Sequence, residues 1–412
     1  MKNRFSRKIS ARTVAASTMY FLIILLFFAP DRGLQASPLN DRDLAILIPK
    51  ENVNDYPAFT LGNKKGILDK KHYLQMKDGF LGTEGESGLA ENSASDWFLV
   101  SARVEPCSPL FPNLATKDEL CWPEVRLVFQ PILQQKILYQ ARYIEYFAED
   151  RGAHALYHVP YSGGSAGEQA KVEDFIATIK ENGSLSPEEK LQFIKYRNQT
   201  IQNFTSEVLS LRDPSINARD YTGLEMRPEY YSQSTSKKFV QKFHVFLEKY
   251  AKQTSLHTFT AFTLPEGRMP THSNLWIFKK FVPNADLDLE PEMISITDHR
   301  GRKIFDVGLS EESKISTDDP VFYEQNPDLL SRLEKQVFLF PSRQSNLLEK
   351  IADEESFLVD HTSCASCHKL NQTMRANFHA LSFFLEEFEH TVSQRVRLDV
   401  RSAKAWLRNN RD

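Results

Sequence analysis

Trp97-Phe98-Leu99-Val100-Ser101-Ala102-Arg103-Val104 is the stretch from which the fold is read. It is dense in aromatic and β-branched residues and is followed by Pro106 and Cys107, so it predicts a strand ending in a turn. Val125-Arg126-Leu127-Val128-Phe129-Gln130 has the same character. Cys107 and Cys121 stand between the two runs, with Pro109 and Pro112 as bends inside the loop they would close. A disulfide between them is expected to clamp the connection. A metal role is the competing reading, but no second ligand pair sits nearby.

Working outward, Tyr143-Ile144-Glu145-Tyr146-Phe147 and Ala155-Leu156-Tyr157-His158-Val159, split by Asp150-Arg151-Gly152, predict a further hairpin. The run Gly163-Gly164-Ser165-Ala166-Gly167 is read as a flexible loop, too loose to cradle a phosphate. Ser186-Pro187-Glu188-Glu189 then offers a cap, a proline for the first turn and a glutamate that completes a capping box. Leu191, Ile194, Ile201, Phe204, Val208 and Leu211 follow at helical spacing. Phe239, Phe243, Phe246, Leu247 and Tyr250 mark a second amphipathic helix, with His244 beside its apolar side as a packing residue.

Short apolar runs at 256–264, 275–282, 293–296 and 303–307, separated by Pro, Gly, Asp and Asn, predict strands of an antiparallel sheet with helices packed on it. Helical signals return at Asn326-Pro327-Asp328, leading into Leu329, Leu330, Leu333, Val337 and Phe340, and again near Ser345. A last helix over about 393–409 places Val396, Val400, Ala403 and Leu407 on one face and Arg397, Arg401, Lys404, Arg408 and Arg411 on another. The expected architecture is α+β: an irregular segment over 37–94, an α+β body over 95–320, and a mostly helical C-terminal segment over 321–412.

The start of the chain bears on compartment. Lys2, Arg4, Arg7, Lys8 and Arg12 precede the apolar run Tyr20 to Ala29, and Leu34-Gln35-Ala36 offers small-residue cleavage before Ser37. Residues 1–36 are therefore expected to be a signal peptide, and the mature protein periplasmic or secreted. No later stretch approaches the ~20 consecutive apolar residues of a membrane span. Without residues 1–36, 45 Lys and Arg face 53 Asp and Glu, a net charge of −8 that speaks against nucleic acid as a partner.

The strongest chemical signal is Cys364-Ala365-Ser366-Cys367-His368. Two cysteines two residues apart, followed at once by histidine, let both thiols reach the vinyl groups of one porphyrin while the imidazole meets the iron. A thioredoxin-like dithiol belongs beside a βαβ pattern, which is absent here, and structural zinc ligands usually come as two separated pairs. The five residues resemble the haem-attachment motif of c-type cytochromes. The resemblance implies one covalent haem c, with Cys364 and Cys367 in thioether bonds and His368 as the axial iron ligand. It covers a small fraction of the chain and leaves the α+β body outside any family.

In the small cytochromes c that the motif resembles, a distal methionine follows several dozen residues later. Here Met374 is the only methionine after the motif, and it lies six residues on. His379, His390, Met269 and His272 are the other candidate distal ligands, and an open sixth position is the remaining possibility. Two strong axial ligands favour electron transfer, whereas an open one allows ligand binding or peroxide chemistry. Phe378, Phe383, Phe384 and Phe388 would wall the haem or form an ordinary helix–helix core, and the basic stripe of the last helix is read first as its solvated face, with docking of an acidic partner or neutralising propionates as the alternatives. The expected function is one-electron transfer to a redox partner protein. A peroxidase-like haem enzyme, a gas binder, and a binding module with haem as a staple are the alternatives. No Walker-type loop, dinucleotide-binding loop, His-Glu-x-x-His motif or Gly-x-Ser-x-Gly elbow occurs.

Overall fold

The computed structural model describes residues 39–48, 68–80, 93–110, 119–131, 152–161, 163–263, 277–292, 294–297, 303–307 and 394–410. The class is α+β, built on a seven-stranded, wholly antiparallel sheet whose strands follow one another in chain order. The strands are β1 (Ala45–Leu47), β2 (Trp97–Pro109), β3 (Cys121–Pro131), β4 (Gly152–His158), β5 (Leu256–Thr263), β6 (Ile277–Pro283) and β7 (Leu289–Glu292). A separate two-stranded ribbon pairs β8 (Ile294–Thr297) with β9 (Lys303–Val307). The helices are α1 (Asp41–Leu44), α2 (Lys70–Gly79), α3 (Ala166–Asn182), α4 (Pro187–Ser210), α5 (Gln233–Tyr250) and α6 (Gln394–Asn409).

The longest pair, β2 and β3, runs further than its β-branched cores alone predict. Ser108 pairs with Trp122 and Pro109 with Cys121, so both cysteines lie within strands, and the disulfide ties the far end of the ladder rather than a loop outside it. The two Cα atoms are 5.0 Å apart. Register shifts between Leu99 and Ser101 and between Glu105 and Ser108 let β2 bend. Along the straight part, Ala102 opposite Leu127 and Val104 opposite Val125 are buried and alternate with Arg103 opposite Arg126 and Glu105 opposite Glu124.

The expected hairpin at 143–159 takes another form. Tyr143–Phe147 lies outside the described residues, and β4 has both edges filled, by β3 and β5. The Gly163–Gly167 run is not a free loop: Ser165 caps α3, its backbone N–H donating to Glu168 Oε2 at 2.9 Å, and Ala166 and Gly167 open the helix. α3 buries Val172, Phe175 and Ile179 and stops at Gly183, whose φ of 69° is readily adopted by glycine. Ser186 caps α4 as expected, its Oγ accepting from the Glu189 backbone N–H at 3.3 Å. The buried face of α4 is rotated from the expected one at its start: Leu191 is 72% exposed, and Phe193 and Tyr196 are buried instead. They join Trp122, Tyr161 and Phe175 in a satellite core, after which Ile201, Phe204 and Val208 continue the buried face.

The main core stacks Phe204, Phe239, Phe243, Phe246 and Tyr250 with apolar residues of β2 to β5. Burying an aromatic side chain of this size contributes roughly 2–3 kcal/mol. This core crosses both expected segment boundaries. Residues 37–94 are not wholly irregular, since Leu44 to Ile48 and, from α2, Tyr73 and Met76 belong to it. Val396, Val400 and Ala403 of α6 belong to it as well, so the last helix is part of the body. Asp399 of α6 accepts from Arg103 Nη1 at 2.5 Å, and Lys404 reaches Asp41 at 2.7 Å. The helices expected near 326–340 and 345–351, and the expected signal peptide 1–36, lie outside the described residues. Among the described residues, no helix is long and apolar enough to cross a membrane.

Candidate functional site

Cys364, Cys367 and His368, and with them Met374, His379, His390, Met269 and His272, lie outside the described residues. Within the described body, chemistry gathers elsewhere, where three neighbouring strands end side by side. Glu124 on β3 stands directly opposite His158, the last residue of β4. His257 follows the first residue of β5, and its placement depends on an irregularity. Leu156 pairs with Thr258 while the next residue, Tyr157, pairs with Leu256, which leaves His257 as the extra residue of a β-bulge.

The bulge decides which side His257 occupies. In an unbroken ladder His257 would oppose Tyr157, and side chains of opposed residues share a face. Tyr157 is fully buried in the main core, so an imidazole there would face apolar packing. The inserted residue turns His257 to the side of Glu124 and His158, while Leu256 takes the core position opposite Tyr157.

The three side chains meet closely. One ligand atom from each of Glu124, His158 and His257 lies within 4.8 Å of the others, and this is a group of metal-ligating type among the described residues. His257 Nε2 is 3.1 Å from Glu124 Oε2, and His257 Nδ1 is 2.9 Å from Thr258 Oγ1. The His158 and His257 rings stack with centroids 3.8 Å apart. Arg126 Nη2 donates to the other oxygen, Glu124 Oε1, at 3.4 Å. Glu124 is buried, whereas both imidazoles are partly exposed and reach the surface.

The electrostatics favour the neutral rings. Burial first, then His257 and Lys180, push His158 well below the ordinary histidine value, against an opposing pull from Glu124. Burial, followed by the positive charges of Lys180, Lys280 and Arg126, does the same to His257. The neutral imidazole offers a nitrogen lone pair, and the two rings with the Glu124 carboxylate beside them form a two-histidine, one-carboxylate donor set.

Comparison with protein-family models, curated proteins and solved structures finds no match to this chain. The site therefore rests on its own geometry. Sequence reading passed over Glu124, His158 and His257 because each sits at the margin of a run read for its apolar content. A usable signal was present: a titratable residue lies at the margin of each of three successive apolar runs. His244, expected as a packing residue, is half-buried on α5 and lies 3.5 Å from Glu248 one turn on.

Proposed function

We propose that the chain is an exported mono-haem protein of the c type that transfers one electron at a time outside the cytoplasm to a redox partner protein. The observation that carries this reading is Cys364-Ala365-Ser366-Cys367-His368 in a chain that opens with a basic and then an apolar stretch. Cys364 and Cys367 would hold the porphyrin and His368 the iron, in a C-terminal segment read as mostly helical. Bonded Cys107 and Cys121 support export, because a disulfide between two adjacent strands persists in oxidising compartments. The α+β body supplies anchorage: β9 precedes the segment that carries the motif, and α6, pinned by Asp399 and Lys404, follows it.

An optical spectrum of the full protein, made in cells with haem-attachment machinery, tests the reading. A covalently bound haem c that survives denaturation is expected, and Cys364→Ala with Cys367→Ala is expected to abolish it. A wild-type chain no heavier than its amino acids, with free thiols at both positions, would refute it. Carbon monoxide added to the reduced protein reports the sixth position: an unchanged spectrum supports electron transfer, and rapid binding supports ligand or peroxide chemistry.

A further inference from the structure

Beyond the haem, we propose that Glu124, His158 and His257 form a second metal site, one that takes a zinc-class divalent ion on the sheet of the body. The donor set is that of catalytic zinc sites, in which two histidines and one carboxylate leave a fourth position for water or substrate. The three ligands come from adjacent strands of one ladder, which holds their backbones in fixed register and limits the rearrangement that binding requires. Each ligand atom lies within 4.8 Å of the others, and binding an ion among them requires the stacked imidazoles to turn so that one nitrogen lone pair of each points at it.

The neighbours are arranged as supporting groups around such a centre. Thr258 Oγ1 sits 2.9 Å from His257 Nδ1, placed to accept the ring proton once an ion takes Nε2, the nitrogen facing Glu124. Arg126 holds Glu124 Oε1 at 3.4 Å, so Oε2 is the oxygen presented to the ion. In the metal-free ring Nε2–H donates to Glu124 Oε2, so ion binding displaces that hydrogen bond and moves the ring proton to Nδ1. Partial exposure of both rings gives the ion a path in. The β-bulge adds a separate argument. It interrupts an otherwise regular ladder, and its effect is to bring His257 onto the side of the other two ligands.

The test uses the full haem-loaded chain, stripped with a chelator, dialysed and given zinc chloride. One zinc per chain is expected by elemental analysis, with a zinc-edge absorption spectrum of nitrogen and oxygen ligands including two imidazoles. Loss of one ligand in Glu124→Gln is expected to weaken zinc binding about tenfold or more, and His158→Ala with His257→Ala about a hundredfold, both with an unchanged haem spectrum. Zinc is also expected to raise the melting temperature of the wild-type chain, a readout that does not depend on the variants folding. Absence of zinc at micromolar free concentration would overturn the proposal and leave the haem reading intact. So would equal affinity in the double variant. Sulfur ligands in the spectrum would place zinc at cysteine and overturn this site.

Discussion

Arg227→Met tests the least accommodating part of the structure, a buried charge network joining α1 to the 211–232 connection. Arg227 is fully buried. Its guanidinium meets Glu229 Oε1 and Oε2 at 3.1 and 3.2 Å, Asp43 Oδ1 at 3.3 Å and the Arg42 carbonyl at 3.3 Å. It also lies over the rings of Phe239 and Tyr221, at 4.7 and 4.9 Å. Methionine keeps the apolar packing and deletes the charge. Asp43 retains Arg212 and the Asn40 backbone N–H, so the loss falls mainly on Glu229, which keeps Tyr221 Oη at 2.7 Å and the Asp213 N–H at 3.2 Å. Removing one partner of a buried ion pair costs about 3–5 kcal/mol, a large share of a typical total of ~5–15 kcal/mol.

The pH dependence is more diagnostic than the size. In the wild type, burial raises the Glu229 carboxyl, but hydrogen bonds and charge from Arg227, with Tyr221, outweigh it and hold the group below the usual range. Its stabilising contribution is therefore present above the unfolded value and is lost as pH falls. In Arg227→Met burial is opposed only by the hydrogen bonds from Tyr221 and the backbone, the folded value rises above the unfolded one, and the group destabilises at neutral pH while relaxing on protonation. Urea unfolding at pH 7 and at pH 4.5 should show a loss of about 3–5 kcal/mol at the first and a clearly smaller one at the second. A loss below about 1 kcal/mol at pH 7, or one that does not shrink in acid, would refute the reasoning.

Two further outcomes follow from single features. Lys279 is buried on the face that carries Ala261 and Phe281, and desolvation pushes it down to about 8, so the unfolded chain binds the extra proton from there up to the ordinary 10.5. Wild-type stability should rise with pH through that window, and Lys279→Met should remove the rise and be more stable at pH 7 by about 1–3 kcal/mol in urea unfolding; a destabilised variant with the rise intact would contradict this. Replacing Cys107 and Cys121 together by alanine opens a loop of sequence separation 14 in the unfolded chain and should lower stability by about 3 kcal/mol, since the β2–β3 ladder restrains the folded state only. Equal urea midpoints for the two proteins would show that the disulfide stabilises neither state over the other.

Elements were legible in the sequence where local chemistry and burial agree. The β-branched runs of β2 and β3, the Ser186 cap and the Phe239 to Tyr250 stripe each form the element their pattern predicts. What escaped has identifiable causes. α3 opens on Ala166-Gly167-Glu168-Gln169, with no apolar residue larger than alanine in its first turn and a glycine run before it, so its cap was hidden in an apparent loop. β7, Leu289–Glu292, is a polar edge strand containing Pro291, and edge strands tolerate a proline that central ones exclude. Leu191 matches the α4 period as well as Phe193 does; its exposure reflects where the helix meets its neighbours, which no local pattern encodes.

The candidate site escaped for a deeper reason. Strict alternation assigns His257 to the side of Tyr157, because the period of a strand is two and a one-residue shift reverses every side chain. The bulge that overturns this is a property of the β4–β5 pairing, and neither strand announces it alone. Leu256 supplies the physical drive: buried in the same core, it gains more from the position opposite Tyr157 than a histidine would, and His257 is the residue displaced. A cluster of Glu124, His158 and His257 thus exists because the core on one face of the sheet selects leucine. The chemistry on the other face is a consequence of that choice.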